Sequence, residues 1–166
     1  MASPPTAGDG RALRVLSSDE YDVLRLKHTE PAGSGVYDKE FPSSGHFACR
    51  ACGQPLYSVA SKFASGCGWP AFSRSYNEAL LCEPDLANFH ACGGRVEIMC
   101  SGCSGHLGHV FFETSGSCDT ERHCVNSLSI RHVEDGAPEH LGETSMRKEY
   151  NECMQRMLMV LSGQPC

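Results

Sequence analysis

The sequence predicts a mainly β protein, with a short helix ahead of the β core and a second helix behind it. Three observations carry that reading. Between Phe47 and about Val133, short apolar segments alternate with clusters of Gly, Pro, Ser and Asn, a punctuation that suits antiparallel strands. Ahead of this stretch, Ser17, Ser18, Asp19 and Glu20 form a helix-start signal. Behind it, apolar residues between Glu143 and Leu161 recur at helical spacing.

At 166 residues the chain suits one domain with a real core. Residues 1–10 hold two prolines, two glycines and no apolar run, and read as a disordered tail. A single domain is expected over residues 11–138 and a C-terminal helical extension over 139–166. The first helix should be capped by Ser17 or Ser18 and run through Tyr21, Leu24 and Lys27, with Pro31, Gly33 and Gly35 ending it. Within the β region, Arg95 to Ile98 alternates polar with apolar. Asn126 to Arg131 does the same, setting Leu128 and Ile130 on one face against Ser127, Ser129 and Arg131. In the tail, Tyr150, Met154, Met157, Leu158 and Leu161 fall on one stripe. That reads as an amphipathic helix packed on the core, with methionine as a gap-filler rather than a ligand.

A net charge of −6 with no basic stripe excludes nucleic acid and anionic lipid as natural partners. No stretch approaches the roughly 20 apolar residues of a membrane span. The N-terminal residues carry neither a secretory nor a mitochondrial pattern, so a cytoplasmic location is expected. Eleven cysteines are many for such a chain, and an odd number cannot all pair internally. Metal binding and thiol chemistry are therefore the first expectations, ahead of a disulfide scaffold.

Cys49-Arg-Ala-Cys52 and Cys100-Ser-Gly-Cys103 are two CxxC pairs with glycines close by at 53, 102 and 105. Each turn of this kind aims two thiolates at one point, and two turns complete a tetrahedron. Four sulfurs with no open position predict a structural zinc. The competing readings are a redox role for one pair, which lacks the expected helix-start setting, and a mixed site using His106 or His109.

Three further segments hold chemistry: Gly66 to Pro70, Gly105 to Phe111, and Glu121 to Ser127. Cys124 and Asn126 lie two apart in an expected strand and should share a face. Arg122 and His123 flank the sulfur and should lower its pKa, favouring the nucleophilic thiolate. A turn could bring His106 and His109 together as proton donors. Trp69, the only tryptophan, stands between Gly68 and Pro70 as a rigidly presented ring. Taken singly, each of these residues is as readily an ordinary core residue.

Their order and combination resemble the B-type methionine sulfoxide reductases, from about Tyr21 through Val133. The resemblance rests on Thr29-Glu30, Ser34-Gly35, both CxxC pairs, Lys62-Phe63, Ser65 to Pro70, Phe72, His106 to Phe111, and Arg122 with Cys124, Asn126 and Ser127. It implies two antiparallel sheets in a tent-like arrangement. It also implies a peptide-methionine (R)-S-oxide reductase acting on free or protein-bound substrate. By position, Cys124 matches the nucleophile and Cys67 the resolving cysteine. Trp69 matches the residue that receives the methyl group, and His106, His109 and Asn126 the polar set around the oxygen. Arg122 matches a support beside the sulfur, and Phe111 joins Trp69 and Arg122 on the substrate side. Cys49, Cys52, Cys100 and Cys103 match the zinc-binding branch. The implied cycle passes through a cysteine sulfenic acid and a Cys67–Cys124 disulfide that thioredoxin reduces, in a monomer.

The chain departs from the family pattern at His123, where Tyr is usual, at Glu113, where Asp is commoner, and at Val125, where Ile is common. Beyond Pro138 the resemblance says nothing. Cys118 is the alternative resolver, while Cys82, Cys92, Cys153 and Cys166 are surplus and expected to be mostly inert. Two other classes compete: a non-catalytic zinc-held β module, and a redox sensor that forms disulfides without turning over sulfoxide. Arg122, Cys124, Asn126 and both histidines argue against the first, and sulfoxide turnover with a dithiol separates all three.

Overall fold

The computed structural model describes residues 8, 10, 12–85, 95–115, 118–136, 138 and 140–162, with the backbone alone at 84, 113–115 and 118–120. The expected tail, residues 1–10, lies outside these apart from Gly8 and Gly10; the Gly8 amide donates to the Gly102 carbonyl at 3.0 Å.

Helix α1 (Ser18–Leu26) begins at the expected place. Ser17 is the cap: its hydroxyl accepts from the Glu20 amide at 3.2 Å, and the Glu20 carboxylate accepts from the Ser17 amide at 2.9 Å. The helix stops before Pro31. Lys27 turns left-handed at φ 60°, which releases the chain from helical geometry several residues early. A four-residue helix, α2 (Val36–Lys39), follows.

Among the described residues, eleven strands make up the β region: β1 (His46–Cys49), β2 (Pro55–Ser58), β3 (Lys62–Phe63), β4 (Ala71–Phe72), β5 (Ser75–Tyr76), β6 (Leu80–Pro84), β7 (Val96–Cys100), β8 (His106–Ser115), β9 (Cys118–Val125), β10 (Ile130–Val133) and β11 (Glu143–Thr144). They form two larger sheets, of order β10-β1-β2 and β3-β4-β9-β8-β7-β6, and a ribbon of β11 with β5. Every pairing is antiparallel. The mainly β architecture with flanking helices is the expected one. Phe47, Tyr57 and Phe72 fill the core between the larger sheets: Tyr57 stacks on Phe72 at 4.1 Å, and Phe47 meets Phe72 edge-on at 5.2 Å.

Two local expectations are corrected. Asn126 to Arg131 is not one strand. Strand β9 ends at Val125, Ser127–Ser129 forms a 3-10 turn, and β10 begins at Ile130. Ser127 and Ser129 are buried, because each hydroxyl has a partner: Ser127 accepts from the Tyr37 amide, and Ser129 donates to the His106 carbonyl. The second correction concerns the tail. Glu143 and Thr144 are strand, and helix α3 spans Arg147–Ser162. Its inner face is Tyr150, Cys153 and Met157, whereas Leu158 and Leu161 are 54% and 56% exposed. The helix docks on β6 and β7 rotated from the expected stripe. Among the described residues, no helix is long and apolar enough to cross a membrane.

Candidate active site and metal centre

The two CxxC turns are built alike. In the first, Gly53 sits at φ 76° and its amide donates to the Cys49 carbonyl at 2.9 Å; in the second, Ser104 sits at φ 53° and donates to the Cys100 carbonyl at 2.8 Å. The turns approach so closely that a Cβ on Gly102 would collide with Oε1 of Gln54. The Gln54 amide spans the gap to the Ser101 hydroxyl at 2.7 Å. Arg25 of α1 donates to the Cys103 carbonyl at 2.9 Å, holding the helix against this corner.

The sulfurs of Cys49, Cys52, Cys100 and Cys103 all lie within 4.8 Å of one another. Two of the sulfur pairs are 3.7 Å (Cys49 to Cys103) and 3.6 Å (Cys52 to Cys100) apart. Tetrahedral zinc bonds sulfur at about 2.3 Å, which sets neighbouring sulfurs roughly 3.8 Å apart, so the donors present fit such an ion. Without a cation four such thiols cannot all ionise: Cys103, then Cys49 and Cys52, drive the Cys100 thiol far above its usual range. The expected four ligands converge and can hold a metal ion.

The second site lies on the six-stranded sheet. Cys124 stands opposite His109 on β8 and Ala71 on β4. Strand alternation sends Arg122 and Cys124 to one face and His123 to the other. The Arg122 guanidinium lies over the Phe111 ring at 4.7 Å and donates to the Cys124 sulfur at 3.0 Å. His123 is therefore not beside the Cys124 sulfur as expected. It is fully buried in the core, bonded to the Tyr57 hydroxyl at 3.2 Å and the Glu121 carboxylate at 2.7 Å. Facing Cys124 is Cys67, sulfur to sulfur at 3.3 Å, on a loop whose Gly66 and Gly68 take φ of 72° and 91°. The Gly68 carbonyl accepts from the Gly33 amide at 2.7 Å, fastening this loop beside the chain that follows α1.

Over the two sulfurs opens a cleft of about 470 Å³ including its mouth, with Trp69, His109, Phe111, Arg122 and Asn126 in its walls. The Trp69 indole N–H donates to the Glu30 carbonyl at 3.0 Å, which fixes the ring. Asn126 is buried: its Oδ1 accepts from the Glu30 amide and its Nδ2 donates to the Leu107 carbonyl, both at 3.0 Å. His106 and His109 do converge, with ring centroids 5.6 Å apart. The device is an irregular register in the β7–β8 pairing rather than a turn, with Gly108 between them where a Cβ would strike the Cys124 carbonyl. His109 reaches the cleft. His106 lies behind it, bonded through Nδ1 to Glu97 at 2.7 Å, with Nε2 buried and unpartnered.

The two thiols differ in how readily they ionise. Burial pushes Cys124 up to about 12, and the hydrogen bond to Cys67 and its charge add to this, against the pull of Arg122. Burial also opposes ionisation of Cys67, yet hydrogen bonds from Ser65, the Trp69 backbone and Cys124, with the Arg122 charge, bring it below its usual value. The expected lowering thus falls on Cys67 in the resting protein, not on Cys124. His109 is pushed down to about 4 by burial, then by Arg95 and His106, and is neutral at pH 7.

Sequence reasoning missed three contributors. Arg95 lines the cleft and pairs with Asp85 at 2.8 Å, and Asp85 lies 3.3 Å from His109 Nε2. Arg95, directly before β7, and Glu97 on it are alternate residues, so the polar face of that alternation was the available signal. Glu30 ties the site together through its amide, its carbonyl and a carboxylate that accepts from the Leu128 amide at 3.0 Å. Burial raises its pKa.

With this geometry in place, comparison with known proteins decides the family. A SelR domain model matches residues 16–134. The chain belongs to the SelR family, that of the B-type peptide methionine sulfoxide reductases. Peptide methionine sulfoxide reductase B5 of Arabidopsis thaliana is 50% identical over 117 residues, covering 70% of this chain and 80% of that protein. Its namesake from Oryza sativa subsp. japonica is 49% identical over 118 residues, covering 70% and 82%. The rice chloroplastic protein B3 is 47% identical over 120 residues, 72% of this chain but only 50% of its own length. The SelR match stops before β11 and α3.

Proposed function

We propose that this SelR protein reduces the R epimer of methionine sulfoxide, free or within proteins, with Cys124 as nucleophile and Cys67 as resolving thiol. The observation that carries the reading is the 3.3 Å approach of the two sulfurs at the floor of a cleft walled by Trp69 and His109.

In the resting site the Cys124 thiol donates to Cys67. Once Cys67 has lost its own proton to solvent, it can take the Cys124 proton, leaving a Cys124 thiolate that the Arg122 guanidinium stabilises from 3.0 Å. The thiolate attacks the sulfoxide sulfur while the oxygen is protonated by His109 or His106, directly or through water. The neutral His109 ring takes a proton from solvent as the sulfoxide enters, because the partial negative charge on the sulfoxide oxygen raises its pKa, and passes that proton to the oxygen. The sulfur–oxygen bond of the substrate breaks, methionine leaves, and Cys124 carries the oxygen as a sulfenic acid. Cys67 then displaces that oxygen as water, giving the Cys67–Cys124 disulfide. A thioredoxin-class dithiol restores both thiols by exchange.

Trp69 takes the methyl group and Phe111 borders it. The opposite epimer exchanges methyl and oxygen, leaving a polar group without its partner at a cost of roughly 1–3 kcal/mol. Cys49, Cys52, Cys100 and Cys103 hold zinc, which has no open position and supplies folding energy rather than chemistry.

The test is reduction of R-sulfoxide by the wild type, Cys124→Ser and Cys67→Ser. Activity should vanish in the first variant, while the second completes one turnover and fails to cycle with thioredoxin. Sustained turnover by Cys124→Ser rejects the nucleophile assignment.

A further inference from the structure

Outside the cleft, a second pair of thiols meets where the C-terminal helix docks. Cys153 is on the inner face of α3, 1% exposed, and Cys82 is on β6, half-buried at the edge of the same contact. Cys82 packs against the core cluster that includes Cys153, and each thiol is the largest influence on the other's ionisation. Arg156, one turn along α3, donates from Nη2 to the Cys153 sulfur at 3.0 Å. Neither cysteine lines the cleft, and Cys153 lies beyond the SelR match.

We propose that Cys82 and Cys153 are a second redox-active thiol pair, oxidised by a hydroperoxide to a disulfide that ties α3 to β6. A thiol–thiol contact with a guanidinium on one sulfur is the arrangement that makes a thiolate available. The electrostatics agree. The interaction with Cys82 outweighs burial and, helped by Arg156, holds Cys153 below the usual thiol range, while the same contact pushes Cys82 up.

The Cys153 thiolate attacks the terminal peroxide oxygen, reached past the half-buried Cys82. A sulfur–oxygen bond forms, the oxygen–oxygen bond breaks, and the departing alkoxide or hydroxide takes up a proton. Cys153 is now a sulfenic acid. The Cys82 sulfur attacks it, the sulfur–sulfur bond forms, and the hydroxyl leaves with the Cys82 proton as water. Two thiols have been oxidised and one peroxide oxygen–oxygen bond reduced. The disulfide forms without any sulfoxide, so this pair responds to peroxide directly, whatever the cleft does.

The full-length, metal-bound protein is reduced with dithiol, freed of it, and exposed to increasing hydrogen peroxide. It is then alkylated and digested without reduction, and the disulfides are mapped by mass. A Cys82–Cys153 cross-link is expected, with loss of both from the alkylatable thiols. In Cys82→Ser, Cys153 should accumulate as a dimedone-trapped sulfenic acid while sulfoxide reduction with dithiol is retained. Oxidation should slow tryptic cleavage at Arg156 several-fold in the wild type and leave Cys82→Ser unchanged. The Cys82 substitution leaves the buried partner in place, so the readout survives if Cys153→Ser fails to fold. Recovery of both cysteines as alkylated thiols, at doses that fully oxidise Cys67 and Cys124, overturns the proposal. So does a cross-link from Cys153 to any other cysteine.

Discussion

Ser104 occupies the left-handed region that Gly53 occupies in the matching turn, with no side-chain excuse for doing so. Ser104→Gly should therefore stabilise the protein by about 0.5–1 kcal/mol, the relief of backbone strain less the added freedom of the unfolded chain; equal denaturation midpoints would show that the turn absorbs the strain. His109 gives a pH prediction. Its folded pKa lies near 4, below the unfolded 6.5, so the unfolded chain binds the extra proton between those values. The neutral ring's contribution is intact above about 6.5 and is lost as pH falls toward about 4, by at most about 3 kcal/mol. His109→Gln should flatten that part of the stability-versus-pH curve relative to wild type. The gathering of Cys124, Cys67, Trp69 and His109 was legible because each sits in a short, recognisable motif. Arg95, Asp85 and Glu30 were not, since their roles arise only when distant segments pair. His123 was misplaced because neighbours in a strand were treated as neighbours in space; period-two alternation sends it into the core.

Helix α3 shows how an element can be recognised and still be turned the wrong way. Met154, Met157, Leu158 and Leu161 are all apolar, so the spacing admits more than one stripe. Cys153, counted as a thiol, was left out of the hydrophobic pattern although it is buried at the contact. Packing decides: Phe112 receives Tyr150 at 4.7 Å and Arg147 at 4.0 Å, which orients the first turns. Met157→Ala should destabilise by about 2–5 kcal/mol, as for other emptied core sites. Leu158→Ala should stay within about 0.5 kcal/mol, as for exposed positions. Similar losses from both substitutions, read by urea unfolding, would contradict the observed rotation. Helix α1 was the easier case, because Ser17 and Glu20 are a local code. Its end was less visible, since Lys27 adopts the left-handed turn without glycine.

The whole molecule depends on the four-sulfur corner. Strand β1 of the three-stranded sheet ends at Cys49, and β7 of the six-stranded sheet ends at Cys100, so one ion held there would join both sheets. A structural zinc supplies apparent free energy on the order of 10 kcal/mol, comparable with the whole stability of a domain. Chelation, or Cys100→Ser, should therefore abolish cooperative unfolding and sulfoxide reduction together, although no ligand lines the cleft; a stripped protein that kept a sharp melting transition would count against this. This corner was plain in the sequence, because CxxC spacing encodes its own geometry, whereas the order of the strands required long-range pairing to be seen. The nearness of Cys67 to Cys124 carries a kinetic consequence. With both sulfurs lining one cleft, the proposed cycle requires the sulfoxide and the reducing dithiol to visit alternately, each leaving before the other arrives. Initial-rate plots at several dithiol concentrations should then run as parallel lines, the signature of substituted-enzyme turnover, and lines that cross would mean that both reactants can be bound at once.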